Sequence, residues 1–332
     1  MITERIDPRD PAAFGEWHAV MAAATGEGRE YPAIWSLAEM RVALTRDSPY
    51  AASEIWIVRT DDGQPAGFLH LHLPLLDNTS LVSADLGVLA EHRRQGYGSA
   101  LAKLVEERMA HHGREIVQAM VHNPLDGAAP GRPFALAHGM KVGIVDMHRV
   151  LQVPVDNAYL ESLAAEVADH HRDYQLVTWR DRCPDHLVDA YAVLEGTFLS
   201  EAPMGDLEME NEVYDAARIR FREDQALAQG RQSWVTVAIA PDGALVGQTE
   251  LFIPSHDPAN AYQSGTLVAA AHRGHRLGLA LKARNQLELQ RTETGRRVLH
   301  TWNAEQNTAM NAVNERLGFR PVELTEEWQR RI

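Results

Sequence analysis

Along 247–254 a polar run passes into an apolar one, and the period of two of a strand puts Gln248, Glu250 and Phe252 on one face and Thr249, Leu251 and Ile253 on the other. A similar apolar run, "AGFLHLHLP", lies 180 residues earlier. Each run follows an Asp-Gly pair, at 62–63 and 242–243, and each pair follows another apolar run, "EIWIVRT" or "SWVTVAIA". That arrangement predicts two hairpins. Before each hairpin the pattern predicts a short strand, "ITERI" or "YQLVTW", then helical segments over 10–24 and 34–45, or 184–198 and 208–229. After each hairpin come a further strand ("TSLVSADLGV"; "AYQSGTLVA") and a helix closing at Gly113 or Gly295. A last strand ("EIVQAMV"; "RVLHTW") and a helix ending in "AHGM" or "RLGF" complete each half. Leu160, Leu163, Ala164 and Val167 recur at helical spacing after possible caps at Asp156 or Asn157, which predicts a linking helix.

The halves are copies of one another. Between 62–101 and 242–281 thirteen of forty positions are identical without a gap, where chance gives about two or three. A repeat this long is a domain, not a solenoid unit. The predicted organisation is a domain at 1–155, a linker helix at 156–171 and a second domain at 172–332. The fold class is α/β (α+β), with hairpin strands first and a strand–loop–helix crossover after them.

Composition narrows the partners. The 332 residues carry a formal net charge of −14, which disfavours nucleic acid and favours cationic small molecules. No apolar run approaches a membrane span, and "MITERIDPRD" has no apolar signal core. The single Cys183 leaves no internal disulfide pair. A cytoplasmic protein, monomer or homodimer, is expected. The His pairs at 111–112 and 170–171 have no companion Cys cluster, so no metal is expected.

The chemistry begins in "HRRQGYGSAL" (92–101) and "HRGHRLGLAL" (272–281). Each sits where a strand hands over to a helix, whose first N–H groups lack internal partners and whose dipole is positive. Glycines there let backbone amides close around a phosphate. In the first copy the candidate residues are Arg93, Arg94, Gln95, Gly96, Tyr97, Gly98 and Ser99. In the second they are Arg273, Gly274, His275, Arg276, Leu277, Gly278, Leu279 and Ala280. Arg276 stands where the first copy has Gly96. A side chain is tolerated there if φ stays negative, with Gly274 supplying the lost freedom.

A strand, R/Q-x-x-G-x-G/A, an amphipathic helix and then "NAEQNTAMNAVNERLGF" (303–319) resembles the Gcn5-related N-acetyltransferases, in a tandem arrangement. The resemblance implies two domains, each with a mixed, mostly antiparallel sheet flanked by helices. It implies that the loops hold the pyrophosphate of acetyl-CoA, and that the strand before each loop, with Gly87–Val88 or Leu267–Val268, borders the pantetheine arm and supplies an oxyanion donor. It places Asn303 and Asn307 on that arm. Read without the resemblance, Asn303 is a helix cap and Asn311 a solvated surface residue. The family often has a tyrosine acid four residues before the "GF" glycine; here that position is Asn314, and Ala135 in the first half.

The second half keeps the fuller side-chain set and is expected to be catalytic, the first half degenerate. Glu250 is the candidate base, Tyr262 a replacement acid, and the first half has His70 where Glu250 stands. The acidic stretch 201–215, with Glu201, Asp206 and Glu208, is expected to rim a site for a small cationic amine. The function expected is acetyl transfer from acetyl-CoA to such an amine. The alternatives are a non-catalytic acyl-CoA-binding regulator and a mycothiol-synthase-like acetyltransferase.

Overall fold

Left-handed glycines at the two Asp-Gly turns, Gly63 at φ 86° and Gly243 at φ 89°, let the hairpins close tightly. They join β2 (Ala51–Arg59) to β3 (Pro65–Pro74) and β8 (Arg231–Ile239) to β9 (Leu245–Pro254). The computed structural model describes residues 1–127, 129–293 and 295–332. The chain divides into two compact units: Met1–Val145 with Gly205–Glu210 and Leu324–Ile332, and Asp146–Met204 with Asn211–Glu323.

In unit 1, β1 (Ile2–Ile6) pairs antiparallel with β2, β2 with β3, and β3 with β4 (Leu81–Val88). β4 runs parallel to β5 (Ile116–Pro124). Helices α1 (Pro11–Gly26) and α2 (Leu37–Thr45) cover one face of this sheet, and α3 (Tyr97–His112) the other. Asp10 caps α1, and Ser36 with Glu39 forms a capping box on α2. α4 (Gly131–Ala137) follows β5. Phe14, Trp17 and Phe68 lie in the core on the α1 face; Leu69, Leu71 and Leu101 lie on the α3 face.

Unit 2 repeats the plan. β7 (Gln175–Arg180) pairs with β8, β8 with β9, and β9 with β10 (Asn260–Val268), all antiparallel; β10 runs parallel to β11 (Val298–Ala304). Helices α6 (Val188–Gly196), α7 (Phe198–Glu201) and α8 (Ala216–Ala228) correspond to the first helices. α9 (Leu277–Thr292) and α10 (Thr308–Leu317) lie on the opposite face. The predicted linking helix is α5 (Asn157–Val167), capped by Asp156; it packs on α9 through Leu160, Leu163 and Val167 and belongs to unit 2. Cys183 is buried, and burial pushes its thiol up to about 12, so it is no nucleophile at neutral pH.

Three features depart from the sequence reading. Two long strands, β6 (Lys141–Gln152) and β12 (Arg320–Arg331), follow the last helix of each half, and neither stays wholly with its own half. From Asp146 onward β6 pairs antiparallel with β11 in unit 2. From Leu324 onward β12 belongs to unit 1, where Trp328 is buried with Val121 and Ala135. The boundaries are therefore not those of 1–155 and 172–332. The segment 208–215 is not helical: Asp206/Glu210 and Glu208/Glu212 would be like charges one helical turn apart. α8 starts only where Asp215 caps it. Lastly, α9 ends at Thr292, and Gly295 is not its cap.

Trp328 comes from the far end of the chain but fills the core of unit 1. Trp328→Ala should cost about 3–5 kcal/mol, and hydrogen exchange should report the loss in β5 and α4 while leaving α9 protected.

Candidate functional site

In each unit the parallel pair holds for only three rungs. β4 meets β5 at Leu81, Val82 and Ser83; β10 meets β11 at Asn260, Ala261 and Tyr262. Beyond these rungs β4 and β10 stay laddered to β3 and β9 through Val88 and Val268. Among the described residues their other edges are left without a strand partner, so alternate N–H groups of Gly87–Val88 and Leu267–Val268 open on the splay.

The loops then run into α3 and α9. Both helices lack a side-chain cap, so their leading N–H groups are left for an outside acceptor. Each loop has two left-handed residues: Arg94 (φ 61°) and Gly96 (φ 92°), Gly274 (φ 90°) and Arg276 (φ 56°). Arg276 does not meet the condition of a negative φ under which a side chain is tolerated there. Glycine and arginine have exchanged places along one backbone path, and each loop spends about 1–2 kcal/mol on one arginine. Alternating handedness turns successive amides inward, which is the geometry of an anion nest. Gly98 and Gly278 lie in the first turns, where a Cβ would be 3.0 Å from Phe134 in one unit and 3.8 Å from Met310 in the other.

Arg93 and Arg273 fasten the strand that precedes each loop. Each donates Nε–H to the carbonyl that ends its strand, Val88 at 3.1 Å or Val268 at 3.2 Å. Each then pairs with a carboxylate, Glu27 or Glu201. Glu201 also accepts from the Ala270 amide, so it is a fastening of the loop. Asp206 and Glu208 fall in unit 1, where Glu208 pairs with Arg331. Glu201 belongs to unit 2, so the three acidic residues are divided between the units.

On the helix face of unit 2, Asn314 is fully buried and donates to Asn303 Oδ1. Its own Oδ1 accepts from Lys282 Nζ at 2.5 Å, and that ammonium lies 5.1 Å from the Phe319 ring. Burial, with Arg149 adding repulsion, lowers Lys282 to about 7. Sequence reading missed Lys282; a lone Lys in the "LALKA" helix stretch gave no signal of burial. The cap of α10 is Asn307, not Asn303, and Asn311 is buried, donating to the carbonyls of Ala304 and Glu305. Tyr262 lies on the opposite face from Asn314, stacked between Phe252 and His300 at 5.0 Å from each.

Glu250 lies in unit 2 across from a bulge at Ser264–Gly265, where the ladder skips from Leu251↔Gln263 to Thr249↔Thr266. The two residues line one cavity of about 190 Å³ with Glu250, Glu195, Glu212 and Arg222. Arg222 bonds Glu195 and the Tyr191 hydroxyl; Gln248 donates to Glu195 at 2.8 Å. Burial opposes the charge of Arg222, yet Tyr191, Glu195 and Glu250 hold it firmly protonated. Among the described residues the Glu250 carboxylate has no hydrogen-bond or ion-pair partner, and burial raises its pKa despite Arg222.

Residues 21–130 match the model of the acetyltransferase (GNAT) family. A tandem GNAT protein from the clavulanic acid biosynthesis pathway is similar over the whole length: 28% identity, 99% of this chain and 98% of that one covered, TM-score 0.79. Residues 21–130 carry a GNAT-family match, and the chain as a whole has a tandem GNAT fold. A GCN5-related N-acetyltransferase from Sphaerobacter thermophilus shares the fold at 15% identity and TM-score 0.63, covering 99% and 95%. So does a glucosamine N-acetyltransferase region of a fungal multi-domain GH3 β-N-acetylglucosaminidase, at 12% identity, TM-score 0.69 and coverage of 99% and 38%. No curated protein matches the chain. Acetyl-CoA, used by the family in general, fits what this tandem GNAT offers: uncapped helix amides, a nest and an open strand edge in each unit.

Lys282 gives a stability signature. Its folded pKa is below its unfolded value, so between about pH 7 and 10.5 the unfolded chain binds more protons and the group's cost to folding falls as pH rises. Chemical denaturation should show the stability of the native chain relative to Lys282→Met increasing across that window. At the loop, Gly274→Ala should cost about 1–2 kcal/mol; Arg276→Gly should not destabilise, relief of strain offsetting glycine's entropy of about 0.5–1 kcal/mol.

Proposed function

We propose that this tandem GNAT is an acetyl-CoA-dependent N-acetyltransferase acting on the primary amine of a small cationic molecule, with the reaction in unit 2. The observation that carries the reading is the unpartnered Glu250 carboxylate, set in a cavity beside the bulge of the splayed strand. Acetyl-CoA supplies the acetyl thioester. The loop amides from Gly274 to Ala280 would hold its pyrophosphate, and the open edge of β10 would hold the arm. An alternate N–H of that edge, near Leu267–Val268, would serve as donor to the thioester oxygen.

An ammonium cannot attack a thioester, so a proton must leave first. Glu250 is suited to take it, because burial raises its affinity for a proton and no neighbour engages it. Glu195, Glu212 and Glu250 outnumber Arg222 around the cavity, which favours a cationic acceptor. Asn314 carries no ionisable proton, so Tyr262 is the remaining donor for the departing thiolate. Lys282 holds Asn314 in place through the Asn314 Oδ1.

Glu250→Gln should lower kcat about 10²–10³-fold with little change in acetyl-CoA affinity. In the native chain kcat/KM should rise with pH through a pKa above the ordinary carboxylate range, since the protonated carboxyl cannot act as base. Steady-state kinetics across pH on an amine panel measures both. Full activity in Glu250→Gln would remove the base from this reading.

A further inference from the structure

The register of the two units, rather than their sequence alignment, shows what stands opposite Glu250 in unit 1. The pairs His72↔Ser83 and Phe252↔Tyr262 correspond, as do Phe68↔Gly87 and Gln248↔Leu267. Between them unit 2 carries Gln263, Ser264, Gly265 and Thr266, and unit 1 carries only Ala84, Asp85 and Leu86. Tyr262 therefore matches Ser83, not Val82. The cross-strand pair His70↔Asp85 occupies the place of Glu250 and its bulge. The carboxylate has crossed the ladder, from β9 in unit 2 to β4 in unit 1.

Directly opposed residues of an antiparallel pair share a face, and for His70 and Asp85 that is the face of α1. His70 lies edge-on to Trp17, with ring centroids 6.2 Å apart, and its Nε2 is 3.3 Å from Ser53 Oγ. The fully buried Trp17 has an indole N–H with no partner among the described residues. Asp85 lies two residues beyond the last parallel rung, where β4 has left β5. Its carboxylate is reached by solvent and has no hydrogen-bond or ion-pair partner among the described residues. Crowding by the surrounding protein raises it to about 6, with Arg29 acting against the rise. Burial holds His70 down at about 4, so it is a neutral imidazole. Unit 1 thus has the splay, the uncapped helix, the nest and a free carboxylate on the acceptor face, which is more than a relic keeps.

We propose that unit 1 is a second acetyl-transfer site, in which Asp85 receives the proton of an amine that also carries an anionic group. This rests on the acetyl-transfer reading of the fold. The sign of the charge separates the two acceptors: three carboxylates against Arg222 line the cavity of unit 2, whereas Asp85 in unit 1 is matched by Arg29 and flanked by neutral His70. In the step, Asp85 takes one proton from R–NH3⁺. The amine nitrogen then forms the C–N bond to the acetyl carbon and the C–S bond breaks. The second amine proton protonates the thiolate, giving R–NH–CO–CH3 and the free thiol; the proton on Asp85 passes to water.

The test uses the full chain and two acceptors of equal length, 1,4-diaminobutane and 4-aminobutyrate, with thiol release as readout. Asp85→Asn should lower kcat/KM for 4-aminobutyrate about 100-fold and leave diaminobutane within about 2-fold. Glu250→Gln should do the reverse. Asp85→Glu should recover part of the aminobutyrate turnover, which separates a lost base from a lost fold. The proposal is overturned if the native chain does not acetylate 4-aminobutyrate, if Glu250→Gln silences both acceptors, or if Asp85→Asn leaves aminobutyrate turnover intact. Loss of diaminobutane turnover alone counts against the reading of unit 2 and not against this one.

Discussion

The structure depends on a parallel pair that is allowed to fail. Three rungs join β10 to β11 and three join β4 to β5, after which one strand is committed to its hairpin and its other edge is left open. An exposed strand edge is ordinarily a liability. Here it is held open by construction. Arg93 and Arg273 pin the strand-end carbonyls, Glu27 and Glu201 hold the arginines, and left-handed residues turn the chain into an uncapped helix. The same edge offers amides of the kind a thioester oxygen accepts from, and the same helix offers amides of the kind a phosphate accepts from. Neither feature needs a catalytic side chain, and both units have them although the surrounding residues differ.

The two units place chemical groups differently along a backbone path that they share apart from the bulge in β10. In the loops, glycine and arginine trade two left-handed positions. On the acceptor face, a carboxylate trades strands and a bulge replaces it. A backbone-based site tolerates such exchanges, because the path is fixed by the strand, the helix and the hairpin rather than by one residue. The cost is local: about 1–2 kcal/mol at each left-handed arginine, and desolvation at the unpartnered Glu250 carboxylate.

Much of this was legible in the sequence. The 180-residue repeat, the Asp-Gly hairpins and the strand–loop–helix motif rest on local patterns, and local patterns identify elements well. What was not legible is non-local. The crossing of β6 and β12 between units is set by which edge each strand pairs with, and nothing in "KVGIVDMHRV" names its partner. The bulge at Ser264–Gly265 was hidden because a gapless alignment absorbs an extra residue in one place by losing one in another. The acidic run 201–215 looked like one helix rim, but charge repulsion and Gly205 (φ 56°) distribute it over both units. Buried Lys282 and free Asp85 were ordinary letters until the fold showed what surrounds them.

Calorimetric titration of the full chain with acetyl-CoA tests the central claim most directly, that one backbone device was preserved twice. Two equivalents bound per chain, with one lost when Gly274→Ala distorts the second loop, is the result this account predicts. A single equivalent that survives that substitution would confine the device to unit 1. No binding would contradict the account altogether and leave the repeated loops as helix entrances and nothing more.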